Sequence, residues 1–198
     1  MAIKMSITRI ETTSVSIPYQ FPWRNRRTEE RGYPTTHLDI TVLQVHTDAG
    51  IVGLGEMPGK DARKVMAEKY EPFLKGRDPF EIQQVLMDLD QTFGRSSALA
   101  GIELALHDIV GKALGVPVYT LLGGKVRDRI PLIWTLTHRS IEEQVSEARE
   151  RVAEGFTHAL KMKTGMAGDL EHELAVARRL ARCPSGQTTT RGSTCRRF

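Results

Sequence analysis

Lys161-Met162-Lys163 is the triplet whose residue types and spacing could do acid–base chemistry. On a β-strand, residues two apart project to the same side, so both ammonium groups would stand together while Leu160 and Met162 face the other way. Like charges held close lower each other's pKa, and a dry site or a nearby metal ion lowers it further, which makes a lysine a base near neutral pH. Read alone, the triplet also fits solvated lysines on an edge strand, where they discourage aggregation. His107 and Asp108 are adjacent on a predicted helix and so point about 100° apart; they read as structural or surface residues. Gly123-Gly124 has no phosphate-loop pattern around it and reads as a turn. Cys183 and Cys195 stand in no metal-ligand spacing and suggest no disulfide framework.

The elements that must position the lysines follow from periodicity. Ile7 to Ile17 and Leu38 to His46 are rich in Thr, Val and Ile, and the turn Asp48-Ala49-Gly50 leads into Ile51-Val-Gly-Leu-Gly, which predicts a three-stranded antiparallel meander. Asp78 and Pro79 predict a helix start, with Ile82, Val85, Leu86, Leu89 and Phe93 on one stripe. A second helix is predicted from about Ser97, burying Ile102, Ala105, Leu106, Ile109 and Ala113 and ending at Gly115, with Pro117 beyond. Strands followed by helices make an α+β domain over residues 1–128.

From Arg129 the rhythm becomes strand, helix, strand, helix, as in parallel α/β units. Ile130 to Leu136 and His158 to Lys163 are the predicted strands. Ser140 and Glu143 form a capping box for a helix that buries Ile141, Val145, Ala148 and Val152 and closes at Gly155. Asp169 can cap a last helix with Leu170, Leu174, Ala177 and Ala181 on its buried side. Residues 183–198 follow no apolar period, and a shift of reading frame in the coding DNA would explain that loss of pattern.

The 198 residues are 40% apolar and 26% charged, which describes a globular chain rather than a disordered one. The net charge of +4 comes from the end of the chain. Residues 174–198 hold six arginines and no acid, leaving 22 basic against 24 acidic residues before them. With Phe198 as its lone aromatic, that segment makes no stacking platform for nucleic acid. The absence of an apolar block at the start and of any long apolar run predicts a cytoplasmic chain without membrane contact.

The run Ala100-Gly-Ile-Glu-Leu-Ala-Leu-His-Asp-Ile-Val-Gly-Lys-Ala-Leu-Gly-Val-Pro-Val-Tyr-Thr-Leu-Leu-Gly-Gly124 resembles the helix that ends the N-terminal capping domain of the mandelate racemase and muconate lactonizing branch of the enolase superfamily. The resemblance covers roughly residues 5–182. It implies a capping domain over 1–128, the first two βα units of an incomplete (β/α)8 TIM barrel over 129–182, and an irregular basic tail over 183–198. It gives Lys163 as the acid/base that exchanges the proton α to a carboxylate and Lys161 as the positive charge beside it, in a site where magnesium stabilises the ene-diolate.

Phe21 to Tyr33 matches the capping loop that closes over substrate, so Trp23, Arg24, Arg26 and Tyr33 are expected substrate contacts, with Arg27 and Arg31 nearby; solvated arginines on a flexible loop are the alternative. The family's magnesium ligands are carboxylates that should begin about thirty residues after Lys163, where this chain has Thr190-Arg-Gly-Ser-Thr-Cys-Arg.

The expected function is therefore the N-terminal portion of a magnesium-dependent racemase, cycloisomerase or sugar-acid dehydratase, acting on a small carboxylate or sugar acid and inactive as this chain alone. The Lys-x-Lys motif and the Trp134-Thr-Leu strand lean toward the muconate-lactonizing type. The alternative is a non-catalytic capping module that self-associates or pairs with a full-length relative. A homo-oligomer is expected, with no nucleic-acid partner.

Overall fold

The computed structural model describes residues 4–23, 28, 31–59, 62–136, 139–156, 159–162 and 170–181. They divide into two compact units, Met1–Pro18 with His37–Val126 and Tyr19–Thr36 with Arg127–Phe198.

In the first unit, β1 (Ile7–Trp23), β2 (Thr35–Thr47) and β3 (Val52–Pro58) form one sheet in that order, with the outer ends of β1 and β2 passing into the second unit. β2 and β3 run antiparallel, with Leu43 opposite Gly55 and Val45 opposite Gly53. The predicted turn joins them: Gly50 takes φ 76°, and Thr47 Oγ1 accepts from Ile51 N at 3.1 Å. Asp48 accepts from Ser6 N and Ser6 Oγ, at 2.9 and 2.6 Å, tying that turn to the start of β1.

Three helical pieces follow that the apolar pattern does not bring out: α1 (Ala62–Val65), a π-helical turn (Met66–Tyr70) and α2 (Glu71–Leu74), with a turn over 75–80 after them. They bury Met66, Tyr70 and Leu74. The next helix, α3 (Ile82–Phe93), starts later than Asp78-Pro79 suggests. Asp78 Oδ1 instead accepts from Phe80 N at 2.9 Å, so these residues form a turn ahead of the helix. Val85 and Leu89 of the expected stripe are fully buried, and Ile82 and Phe93 pack at its edge.

α4 (Ser97–Leu114) fills the middle of the unit, with Ile102, Ala105, Leu106 and Ile109 at 0% exposure. It ends as expected, on Gly115 in the left-handed conformation (φ 66°). The helix lies so close to β3 that a Cβ on Gly53 would come within 2.2 Å of Ala105 O, and one on Gly55 within 2.0 Å of Gly101 O. Glycine on both surfaces is what permits this approach. On the same side, Asp108 Oδ2 accepts from Leu54 N at 2.8 Å and from Lys112 Nζ at 2.6 Å, and Lys112 Nζ donates to Val52 O at 2.7 Å. Asp108 is thus structural, as its place on the helix implied, and so is His107, whose Nδ1–H donates to Glu103 O at 3.0 Å. A short α5 (Val118–Leu121) leads to Gly123 and Gly124, both at positive φ, where the expected turn stands.

Arg77 joins the turn at 75–80 to α3: its Nη2 donates to Asp88 Oδ2 at 2.7 Å and its guanidinium lies 4.9 Å from the Phe73 ring. Hydrogen bonds from Arg77 and then Gln84 hold the Asp88 carboxyl below its ordinary value of 3.8. The unfolded chain therefore binds the proton first as pH falls, so this contribution is present above pH 3.8 and lost as pH drops through the native value. Asp88→Asn should flatten that part of the acid-unfolding curve, and a carboxyl NMR titration of Asp88 checks the direction.

In the second unit, β4 (Ile133–Thr135) and β5 (Ala159–Lys161) pair in parallel, with α6 (Ile141–Ala153) between them and α7 (Leu170–Ala181) after. Strand, helix, strand, helix is the order expected from Arg129 onward. β4 is shorter than the predicted strand because Ile130 and Leu132 are exposed and pair with nothing in the sheet.

The predicted capping box is present: Glu143 N donates to Ser140 Oγ at 3.3 Å, and Ser140 N to Glu143 Oε2 at 3.1 Å. Ser140→Ala should cost about 1 kcal/mol, read as a lower denaturation midpoint for this unit. The expected buried side of α7 is a correction. Leu170 and Leu174 are exposed, Ala181 is exposed, and Glu173, Val176 and Leu180 are buried instead. Two overlapping stripes share Ala177, and the one that meets Leu160, Met162 and Val145 is the one the structure buries.

Candidate functional site

Lys161 stands at the end of β5 with its side chain exposed. Leu160 and Met162, on either side of it, are 4% and 9% exposed and pack with Leu136, Val145, Ala148, Val176 and Leu180 beneath α6 and α7. The alternation predicted for the triplet therefore holds at its first two residues: apolar side chains go under the helices, and the lysine goes to the opposite face. Lys163 lies outside the described residues, so the expected pair of ammonium groups is seen only at Lys161.

The neighbour of Lys161 across the sheet is Thr135, its register partner on β4, and Lys161 O accepts from Leu136 N at 2.9 Å. Side-chain alternation puts Ile133, Thr135, Ala159 and Lys161 on one face. Nothing in the sequence alone marks Thr135, because its place beside Lys161 depends on the register between β4 and β5.

β4 is held from behind. Trp134 Nε1 donates to Glu147 Oε1 at 2.9 Å, its ring meets Phe156 edge-on with centroids 5.2 Å apart, and the Arg151 guanidinium lies 4.8 Å over it. Arg151 pairs in turn with Glu154 at 2.6 Å. An aromatic anchored by both a hydrogen bond and a cation fixes the strand that carries Thr135.

Trp23 and Tyr33 belong to the same compact unit as Lys161. Trp23 ends β1 half-buried, and Tyr33 is 65% exposed, its N–H donating to Thr28 O at 3.2 Å. Arg24 and Arg26 lie outside the described residues. Among the described residues no three His, Cys, Asp or Glu side chains come together as a metal site, so these residues do not make the magnesium site that the resemblance implies. No helix among them is long and apolar enough to cross a membrane.

Residues 33–123 match the model of the mandelate racemase / muconate lactonizing enzyme N-terminal domain. A chloromuconate cycloisomerase from Pseudomonas sp. (strain P51) is 33% identical over 184 residues, which are 85% of this chain and 48% of that protein. A D-galactonate dehydratase from Verminephrobacter eiseniae is 42% identical over 129 residues, 59% of this chain and 33% of that one. Among solved structures, the muconate lactonizing enzyme from Pseudomonas fluorescens complexed with muconolactone superposes with a TM-score of 0.81 at 28% identity, over 95% of this chain and 53% of its own. The chain spans about half the length, or less, of the curated relatives it matches.

Proposed function

Because residues 33–123 carry the N-terminal domain of the mandelate racemase / muconate lactonizing enzyme family, we propose that this chain is the N-terminal part of an enzyme that abstracts the proton α to a carboxylate. Its first unit is the capping domain, and β4, α6, β5 and α7 are the first two βα units of a TIM barrel. The observation that carries the reading is Lys161 at the exposed end of β5, with Leu160 and Met162 turned under the helices. On this reading Lys163, two residues after Lys161 in the sequence, takes the α-proton onto its neutral amine. Lys161 offers its ammonium to the substrate carboxylate beside Thr135, and Trp23, Arg24, Arg26 and Tyr33 are the proposed substrate contacts. Charge-assisted hydrogen bonds to a carboxylate are the strong ones, and a closing loop that excludes water strengthens them.

On this reading the carboxylates that would hold magnesium are not among residues 174–198, which contain none, and the 198 residues by themselves are expected to be inactive. The relatives include cycloisomerases and dehydratases, so the reaction is an isomerisation or an elimination through a shared enolate, which the base forms by removing the α-proton or, in lactone closure, quenches by returning one.

The test joins residues 1–181 to the remaining half of the chloromuconate cycloisomerase from Pseudomonas sp. (strain P51) and follows exchange of the α-proton of candidate acids with deuterated solvent by NMR. Exchange by the joined protein with magnesium, and none by the 198-residue chain, is expected. Exchange by the short chain, or its absence from a folded joined protein with every acid tried, overturns the reading.

A further inference from the structure

We propose that His46, with Glu11 and Arg9, is a proton-operated latch between β1 and β2, closed while the imidazole is neutral and released when it takes up a proton.

β1 and β2 are neighbours in the sheet, and Thr8 Oγ1 donates to His46 O at 3.1 Å, which sets the start of β1 against this end of β2. The His46 side chain is 17% exposed, and its Nε2 is buried without a hydrogen-bond partner. A buried polar atom that bonds to nothing is costly, so its presence in a sheet asks for a reason. Glu11 Oε2 stands 3.3 Å away, within ion-pair distance once the imidazole carries a proton, while Glu11 Oε1 pairs with Arg9. Arg9 and Glu11 are both half-exposed. One carboxylate thus stands between a guanidinium that is always charged and an imidazole that can become so.

The charges around the imidazole decide its state. Arg9 and Glu11 face it from β1. From β3 its register partner is Val52, which carries no charge, and Lys112 Nζ, which donates to Val52 O, is matched by Asp108. On β2 itself Gln44 is neutral, and Asp48, past the end of the strand, is taken by Ser6. With Glu11 committed to Arg9, burial first and the Arg9 charge second hold the His46 imidazole below its ordinary value of 6.5.

A chain opened at this point therefore binds the proton before the closed one does as pH falls. The stabilisation is fully present above pH 6.5 and is lost as pH drops through the native value. A proton taken up in place draws Glu11 from Arg9 and leaves a guanidinium beside an imidazolium. Parting β1 from β2 here avoids that repulsion and returns the imidazole to water, so acid works these two strands apart.

The experiment uses the 198-residue chain. His46 is titrated by NMR, its signals identified by their loss in His46→Gln. Amide exchange over 8–11 and 44–47 is compared at about pH 7.5 and about pH 5.5, on either side of the ordinary histidine range, after correction for intrinsic rates. A His46 midpoint below 6.5 is expected. Arg9→Gln should raise it, and Glu11→Gln, which removes the carboxylate that receives the imidazolium, should lower it further. Opening at these amides, relative to those of the buried stretch Ile102 to Ile109 in α4, should increase in acid, and His46→Gln should abolish the increase. A midpoint that neither surface substitution moves, or an increase that persists in His46→Gln, overturns the proposal. If His46→Gln does not fold, Arg9→Gln must reduce the increase, and an undiminished one overturns it.

Discussion

Gly55→Ala should abolish cooperative folding of the first unit at ordinary temperatures. The new methyl would stand 2.0 Å from Gly101 O and 3.3 Å from Ala105 N, and both are main-chain atoms of α4 that no rotamer change can move aside. Relief requires β3 and α4 to separate. β3 is held in register with β2, and α4 carries four side chains at zero exposure, so separation opens the centre of the core. Overpacking by a side chain typically costs about 1–3 kcal/mol. A backbone collision exceeds that range, against a domain stability of about 5–15 kcal/mol. Gly50→Ala is the control: a Cβ there meets nothing within 4 Å and costs only the strain of φ 76°. Thermal unfolding followed by circular dichroism distinguishes them, and similar midpoints for the two variants would refute the close-packing argument.

The second large effect concerns the lysines in the joined protein. With Lys163 as the base, Lys163→Ala should slow α-proton exchange by about 10²–10⁴, the usual worth of a positioned acid/base. Lys163→Arg should not rescue it, because a guanidinium keeps its proton. With Lys161 as the proposed partner of the substrate carboxylate before and during reaction, Lys161→Ala should raise KM as well as lower kcat. Lys163→Ala with full exchange and unchanged KM would remove that residue from the chemistry.

Much of the architecture is legible in the sequence because local signals agree there. The Ser140 and Glu143 box, the Gly115 stop and the stripe Ile102-Ala105-Leu106-Ile109 each rest on residues within a turn or two of one another, and each is found where expected. The stretch from 62 to 74 was missed although Met66, Tyr70 and Leu74 repeat at helical spacing; its π-helical turn and short pieces break the periodicity that a longer helix would show. The buried face of α7 differs from the expected one because apolar residues lie on both stripes, Leu170 and Leu174 on one and Val176 and Leu180 on the other, and contact with Leu160 and Met162 decides between them. The Lys161 side of β5 follows from alternation alone. Thr135 does not, since register between strands separated by a helix is a tertiary fact.

Asp108 and Lys112 occupy one N–H and one C=O on the outer edge of β3, at Leu54 and Val52. A foreign strand needs such a free row to add itself to a sheet. At those two positions an incoming strand finds the groups already taken, so it could pair along the start of β3 only by displacing the Asp108–Lys112 pair.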